Sequence, residues 1–237
     1  MTDFPKGTIE HMDSMLDSGR QIYGVPGAGL TWGIKGNKGI DVNIGMEGEK
    51  MVGGIINEWV SQHPNTLSFH STRCPNLGDA DTDHVVIIGA TVVLVDSKRW
   101  MSKRKYSVSS KGDILRGTVA FPEGKQVTIK PQMKKWREAV PEGVSVAGVV
   151  CIAQSEVFVP YDDNWRRAPF RLVTADKLVD TLDYYNKRAR KDLQIDDTDD
   201  LPLWEGEHAL LFASRLIKPR ETEFEKKMSG LGAEFFS

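Results

Sequence analysis

Long apolar runs are missing from this chain. None approaches the roughly 20 residues that a bilayer-crossing helix needs, and the first residues mix polar and charged types without the pattern of a secretory leader. The expected location is therefore the cytoplasm. Cysteine is scarce too, at 2 in 237 residues. Cys74 precedes Pro75 in an expected loop, and Cys151 lies in Val149-Val150-Cys151-Ile152, an expected buried strand where a thiol acts as a small hydrophobe. No CxxC or HxxxH spacing supports a zinc site, and a reducing compartment disfavours a disulfide. Nor is there an excess of one charge: a formal net charge of −2 excludes a uniformly basic nucleic-acid binder.

What the chain does have is an ordinary globular composition, 40% hydrophobic and 27% charged, and an uneven distribution of charge. Lys98, Arg99, Lys103, Arg104 and Lys105 form one basic cluster, and Lys125, Lys130, Lys134, Lys135 and Arg137 a second. Asp196, Asp197, Asp199 and Asp200 gather late in the chain. Basic clusters suit a polyanionic partner, and they equally suit a solvated face.

The most informative stretch runs from Asp83 to Lys98, where two apolar runs flank Gly89-Ala90. This pattern predicts a tight hairpin. A two-residue loop sets Asp83 opposite Asp96 and Asp81 opposite Lys98. Directly opposed residues have Cβ atoms about 4.5–5.5 Å apart, and like charges there are destabilising unless neutralised. Alternation puts Lys98 on the face of Asp96. Two carboxylates and an ammonium at one strand end are what metal-assisted phosphodiester hydrolysis requires.

Elsewhere the periodicity predicts an α/β protein with a central mixed sheet flanked by helices. A helix is expected over 46–62, carrying Met51, Val52, Ile55, Ile56, Trp59 and Val60, with Glu49 bordering the buried face and Glu47 nearer solvent. Strands are expected at Leu67–Thr72, Tyr106–Val108, Ile114–Phe121, Val144–Ala153, Val157–Val159 and Leu172–Val173. Pro131 opens a helix reaching about Ala139, Thr174 opens another, and Glu207–Ile217 reads as a last one. Ile9–Ile22 suggests a short helix, and Leu30–Trp32 and Ile40–Val42 suggest short strands. Gly27-Ala28-Gly29 lacks the full dinucleotide fingerprint.

Gly45-Met46-Glu47-Gly48-Glu49-Lys50 before an apolar helix, then Asp83-His84-Val85-Val86, Asp96-Ser97-Lys98 and Gln132, resembles the NERD (nuclease-related) domain of the PD-(D/E)xK restriction-endonuclease-like superfamily. The resemblance covers about residues 45–155. It implies a nuclease core over 45–155; the residues outside it read as an N-terminal arm over 1–44 and a C-terminal helical extension with a flexible tail over 156–237. It further implies catalytic roles for Glu49, Asp83, Asp96, Lys98 and Gln132. Mg²⁺ or Mn²⁺ would be held by Asp83, Asp96, the carbonyl of Ser97 and Glu49, and nucleic acid, DNA before RNA, gripped by Arg99, Lys103, Arg104, Lys105 and Lys134. Residues 1–44 would contact a protein partner or a second copy. Two departures stand out: Asp96 occupies a position where the family usually has glutamate, and Thr82 one where the superfamily name has proline.

Each residue also has a plainer use. Asp83 could cap a strand, Asp96 and Lys98 could form a surface ion pair, Glu49 could be a first-turn helix acid, and Gln132 a polar helix-start residue. His84 reads as structural, since no nucleophile pattern accompanies it. Trp100 and Trp136 read as packing residues. A catalytically inactive scaffold that binds nucleic acid or assembles with partners is the competing function.

Overall fold

The structure is a computed structural model that describes residues 21–27, 39–77, 80–100, 105–109, 111–121, 128–154, 168–196 and 201, with only the backbone described for 39–43. The expected elements at 9–20, Leu30–Trp32, Val157–Val159 and Glu207–Ile217, and the candidates Lys103 and Arg104, lie outside these residues.

A mixed six-stranded sheet organises the chain, in the order β1 (Ile22–Tyr23), β2 (Thr66–Arg73), β3 (Asp81–Ile88), β4 (Thr91–Lys98), β8 (Ser145–Ile152), β9 (Arg171–Thr174). The β2–β3 and β3–β4 pairs are antiparallel, and β1–β2, β4–β8 and β8–β9 are parallel. Helices α1 (Gly39–Ser61) and α3 (Leu178–Leu193) cover one face, where Val52, Ile56, Leu178 and Leu182 meet Val86, Val93, Val95 and Cys151. Helix α2 (Ile129–Ala139) covers the other, with Ile129, Met133 and Trp136 against Val85, Leu94, Val150 and Ile152. A small sheet of β5 (Tyr106–Val108), β6 (Ile114–Arg116) and β7 (Val119–Ala120) extends this second core. The expected α/β class with a helix-flanked mixed sheet is the observed one.

The β3–β4 hairpin has the expected register, from Ile88 opposite Thr91 to His84 opposite Val95. Gly89 carries φ 52°, the positive value a tight two-residue loop places on glycine. A Cβ there would stand 3.2 Å from Leu193 and 3.5 Å from Ala189, so the loop tucks beneath the end of α3. Strands β3, β4 and β8 are buried on both faces, which explains their continuous apolar runs.

Three readings need correction. Helix α1 begins at Gly39, so Ile40–Val42 is helical rather than extended, and the helix runs across the 44/45 boundary. Glycine-rich sequence disfavours a helix by itself, and the helix packs on the sheet further along, through Val52, Ile56, Trp59 and Val60. Ile22 belongs to β1, paired in parallel with β2, not to a helix. Ile114–Phe121 is two short strands with a turn at Gly117 (φ 67°). Cys74 and Cys151 are buried free thiols, and burial pushes them up to about 11 and about 12. No helix among the described residues is long and apolar enough to cross a membrane.

At Gly148 α2 packs tightly on β8: a Cβ there would collide with Met133 Sδ and lie 3.0 Å from Ile129 Cγ1. Gly148→Val should therefore cost about 1–3 kcal/mol through overpacking. Urea unfolding measures this, and an unchanged midpoint would contradict the packing described.

Candidate active site

Strands β3 and β4 part company just where their acidic residues begin. Their ladder ends at His84–Val95, and β4 continues on β8 alone, with Asp96, Ser97 and Lys98 paired to Val150, Cys151 and Ile152. On the other side, β2 pairs His70 with His84 and Thr72 with Thr82, but the intervening Ser71 and Asp83 form no pair. Ser71 has φ 51°, a left-handed value inside a strand, which marks local strain. Beyond this kink Thr82 Oγ1 accepts from Trp136 Nε1 on the α2 side, whereas the His84 ring lies among groups of the α1 side. Asp83 is thus released from the regular ladder, and its Oδ2 accepts the Ser97 backbone N–H at 2.8 Å.

That bond fixes the direction of the Ser97 peptide. The N–H and C=O of one residue in an extended strand point to the same side. Lys98 turns its carbonyl to β8, accepting from Ala153 N at 2.8 Å. Ser97, one residue earlier, therefore turns both its N–H and its carbonyl to the gap occupied by Asp83.

Around this gap the charges are crowded. Lys98 Nζ donates to Asp96 Oδ1 at 2.7 Å. Asp96 is 4% exposed, and its Oδ2 is buried without a hydrogen-bond partner. Burial, then the charges of Asp96 and Glu49, hold the Asp83 carboxyl well above its ordinary range, against the pull of Lys98 and the Ser97 N–H. Glu49, buried on α1, is pushed up to about 7 by burial; Lys98 opposes this, Asp96 and Asp81 add to it, and the Gly27 N–H lowers it. Burial alone would lower the Lys98 ammonium, but Asp96, Asp83 and Glu49 outweigh it and raise its affinity for the proton. Three carboxyl groups thus share one ammonium, so full ionisation leaves two negative charges uncompensated.

The structure thus gathers Glu49, Asp83, Asp96, Ser97 and Lys98 at the carboxyl ends of the parallel strands β4 and β8, where open α/β sheets commonly bind ligands. Two expected neighbours sit elsewhere. Asp81 does not face Lys98, because the hairpin ladder has already ended; it pairs with Arg73 on β2. Gln132 does not reach Lys98. Its Nε2 donates to the Asp81 carbonyl at 2.9 Å and to Thr128 Oγ1 at 3.0 Å, so it fastens α2 to the start of β3. Of the expected nucleic-acid contacts, Arg99 forms an ion pair with Glu47, and Lys105 and Lys134 are exposed. Trp100 and Trp136 are buried packing residues. Among the described residues, no three His, Cys, Asp or Glu side chains form a ready metal-binding group.

Sequence reading missed one feature behind the carboxylates. Ser97 Oγ lies 2.9 Å from His84 Nε2, His84 Nδ1 lies 2.8 Å from His70 Nδ1, and His70 Nε2 lies 2.7 Å from Asn57 Oδ1 on α1. Burial pushes the His70 imidazole down to about 4; burial and then the neighbouring His70 hold His84 well below its ordinary value. Only the Ser97–His84 proximity was open to inference, from the hairpin alternation; His70 enters through a β2–β3 register that the sequence does not announce.

No family model matches the chain, and no match is found among curated proteins or solved structures.

The raised carboxyl affinities set a pH dependence. The folded chain holds the Glu49 proton up to about 7, whereas the unfolded chain releases it near the ordinary 4.5. The native state binds more protons in that window, so stability falls as pH rises through it. Glu49→Gln should flatten the fall and leave the variant the more stable at pH 7. Denaturant midpoints across this range give the comparison, and parallel profiles for the two proteins would refute it.

Proposed function

We propose that the protein is a metal-dependent nuclease that hydrolyses phosphodiester bonds in nucleic acid, DNA before RNA, on a restriction-endonuclease-like core of the NERD type. The observation that carries this reading is Asp96 Oδ2, a buried carboxylate oxygen without a hydrogen-bond partner beside two more acids. An unsatisfied buried acceptor is costly, and two surplus negative charges match one divalent cation. The residues fit Mg²⁺ or Mn²⁺: hard oxygen donors on Asp83 and Asp96 and the Ser97 carbonyl would hold it, with Glu49 reaching it through water. Such an ion, when bound, polarises a phosphate oxygen and acidifies a water.

The chain's own groups divide the remaining work. Asp96 serves two neighbours, Oδ1 holding Lys98 and Oδ2 left for the cation. Lys98 is a poor general base, because the surrounding acids keep it protonated. Its ammonium instead donates to the attacking water or to the charge developing on phosphate. Gln132 acts at one remove, by holding the entry of β3. Lys105, Lys134, Lys103 and Arg104 would grip the backbone without reading sequence, and Arg99 would join them only on leaving Glu47. Residues 1–44 as a partner-binding arm and a cytoplasmic location complete the proposal.

A second reading, an inactive scaffold that binds nucleic acid, draws on the absence of a ready three-ligand group among the described residues and on the Lys98–Asp96 ion pair. Fluorescent DNA incubated with the protein and Mn²⁺ separates the two. Cleavage is expected, with losses of about 10²–10³-fold in Asp83→Asn, Asp96→Asn and Lys98→Ala, folding being checked by circular dichroism. Cleavage equal in all four proteins would sink the assignment of the site. Salt-sensitive DNA binding without turnover would establish the scaffold instead.

A further inference from the structure

We propose that Asn57, His70 and His84 are positioning residues: they form a directional hydrogen-bond chain that reaches from helix α1 to the Ser97 hydroxyl and thereby aims the Ser97 peptide at Asp83. The nuclease reading gives this its purpose, but the positioning itself can be observed without a metal.

The direction follows from Asn57. Its Oδ1 only accepts, so His70 Nε2 carries the proton at that 2.7 Å contact. A neutral imidazole then has a bare Nδ1. His84 must therefore donate from its own Nδ1 across 2.8 Å. That leaves His84 Nε2 bare, and Ser97 Oγ–H donates to it at 2.9 Å. Ser68 Oγ also donates to Asn57 Oδ1, at 3.3 Å. Each group has one role, and reversing any of them would set two donors or two bare nitrogens face to face.

His70 and His84 are 1% and 0% exposed, in a region where aliphatic side chains pack on either side. A polar chain in such a place is costly unless fully satisfied, and when satisfied it specifies one arrangement. Here the arrangement ends on the residue the site depends on. The Ser97 side chain is held on the α1 side by His84, and its N–H is held by Asp83. The hydroxyl and the N–H of Ser97 are thus both held at the point where β4 has lost its β3 partner and keeps only its pairing with β8.

The test uses the full-length ¹⁵N-labelled protein without metal, then titrated with Mn²⁺. Ring ¹⁵N shifts should show His84 protonated on Nδ1 and His70 on Nε2. Asn57→Leu and Ser97→Ala should accelerate hydrogen exchange at the amide of position 97 selectively, while Ser97→Thr, which keeps the hydroxyl, should restore protection. Calorimetry should then show Mn²⁺ affinity about 10-fold weaker in Asn57→Leu, the scale of a lost outer hydrogen bond. Averaged tautomers in the unmodified protein would overturn the proposal. So would an amide at position 97 indifferent to Asn57→Leu, or faster exchange spread evenly over the sheet. A selective amide response in a protein that binds no Mn²⁺ would uphold the positioning and defeat the metal reading instead.

Discussion

At Ser97 a side chain takes the place of a strand. The backbone N–H that a regular hairpin would offer to β3 is given to the Asp83 carboxylate at 2.8 Å, and much else depends on that exchange. A buried N–H left without an acceptor would cost about 1–3 kcal/mol, so β3 and β4 can separate only because Asp83 accepts it. Their separation turns the Ser97 carbonyl toward a gap instead of a ladder. The kink at Ser71 serves the same end from the other side, removing Asp83 from its pairing with β2. The hairpin is thus regular where it builds the core and irregular only over the residues that carry charge.

The electrostatics oppose folding at this point. Burying a carboxylate costs several kcal/mol unless it is well paired, and here one ammonium serves Glu49, Asp83 and Asp96. Part of the cost is evaded by protonation, part is met by Lys98 and the Ser97 N–H, and one oxygen of Asp96 is left unmet. An ordinary structural cluster would be expected to satisfy that atom. Strain and unsatisfied charge that persist in an otherwise well-packed protein tend to mark functional positions.

Much of this was legible in the sequence where the determinants are local. The paired apolar runs and Gly89-Ala90 specify both the hairpin and its register, which is enough to bring Asp83 and Asp96 to one strand end. Helix α2 shows itself by Pro131 and the spacing of Trp136. What was not legible depends on tertiary context. The start of α1 at Gly39 is not announced by its own glycine-rich sequence. Strand β1 is too short to show a period, and the strand expected at Leu172–Val173 gives no sign of its place at the edge of the main sheet, yet both join it. The reach of Gln132 depends on how α2 crosses the sheet. The pairing of His70 with His84 depends on a register set across residues 74–80, where no turn signature fixes the count.

The two-residue loop at Gly89-Ala90 lies at the end of the hairpin remote from the carboxylates, closed over by Leu193 and Ala189. It nevertheless decides which side chains reach them. A strand presents alternate residues to opposite faces, so a slip of one residue inverts the assignment of a whole strand. A slip of β4 by a single residue at this loop would exchange Asp96 and Lys98 for Val95 and Ser97 at the gap, and would turn both charged groups toward the α1 side. The brevity of a distant turn thus helps to set which side chains meet at the gap, although none of them lies in the turn itself.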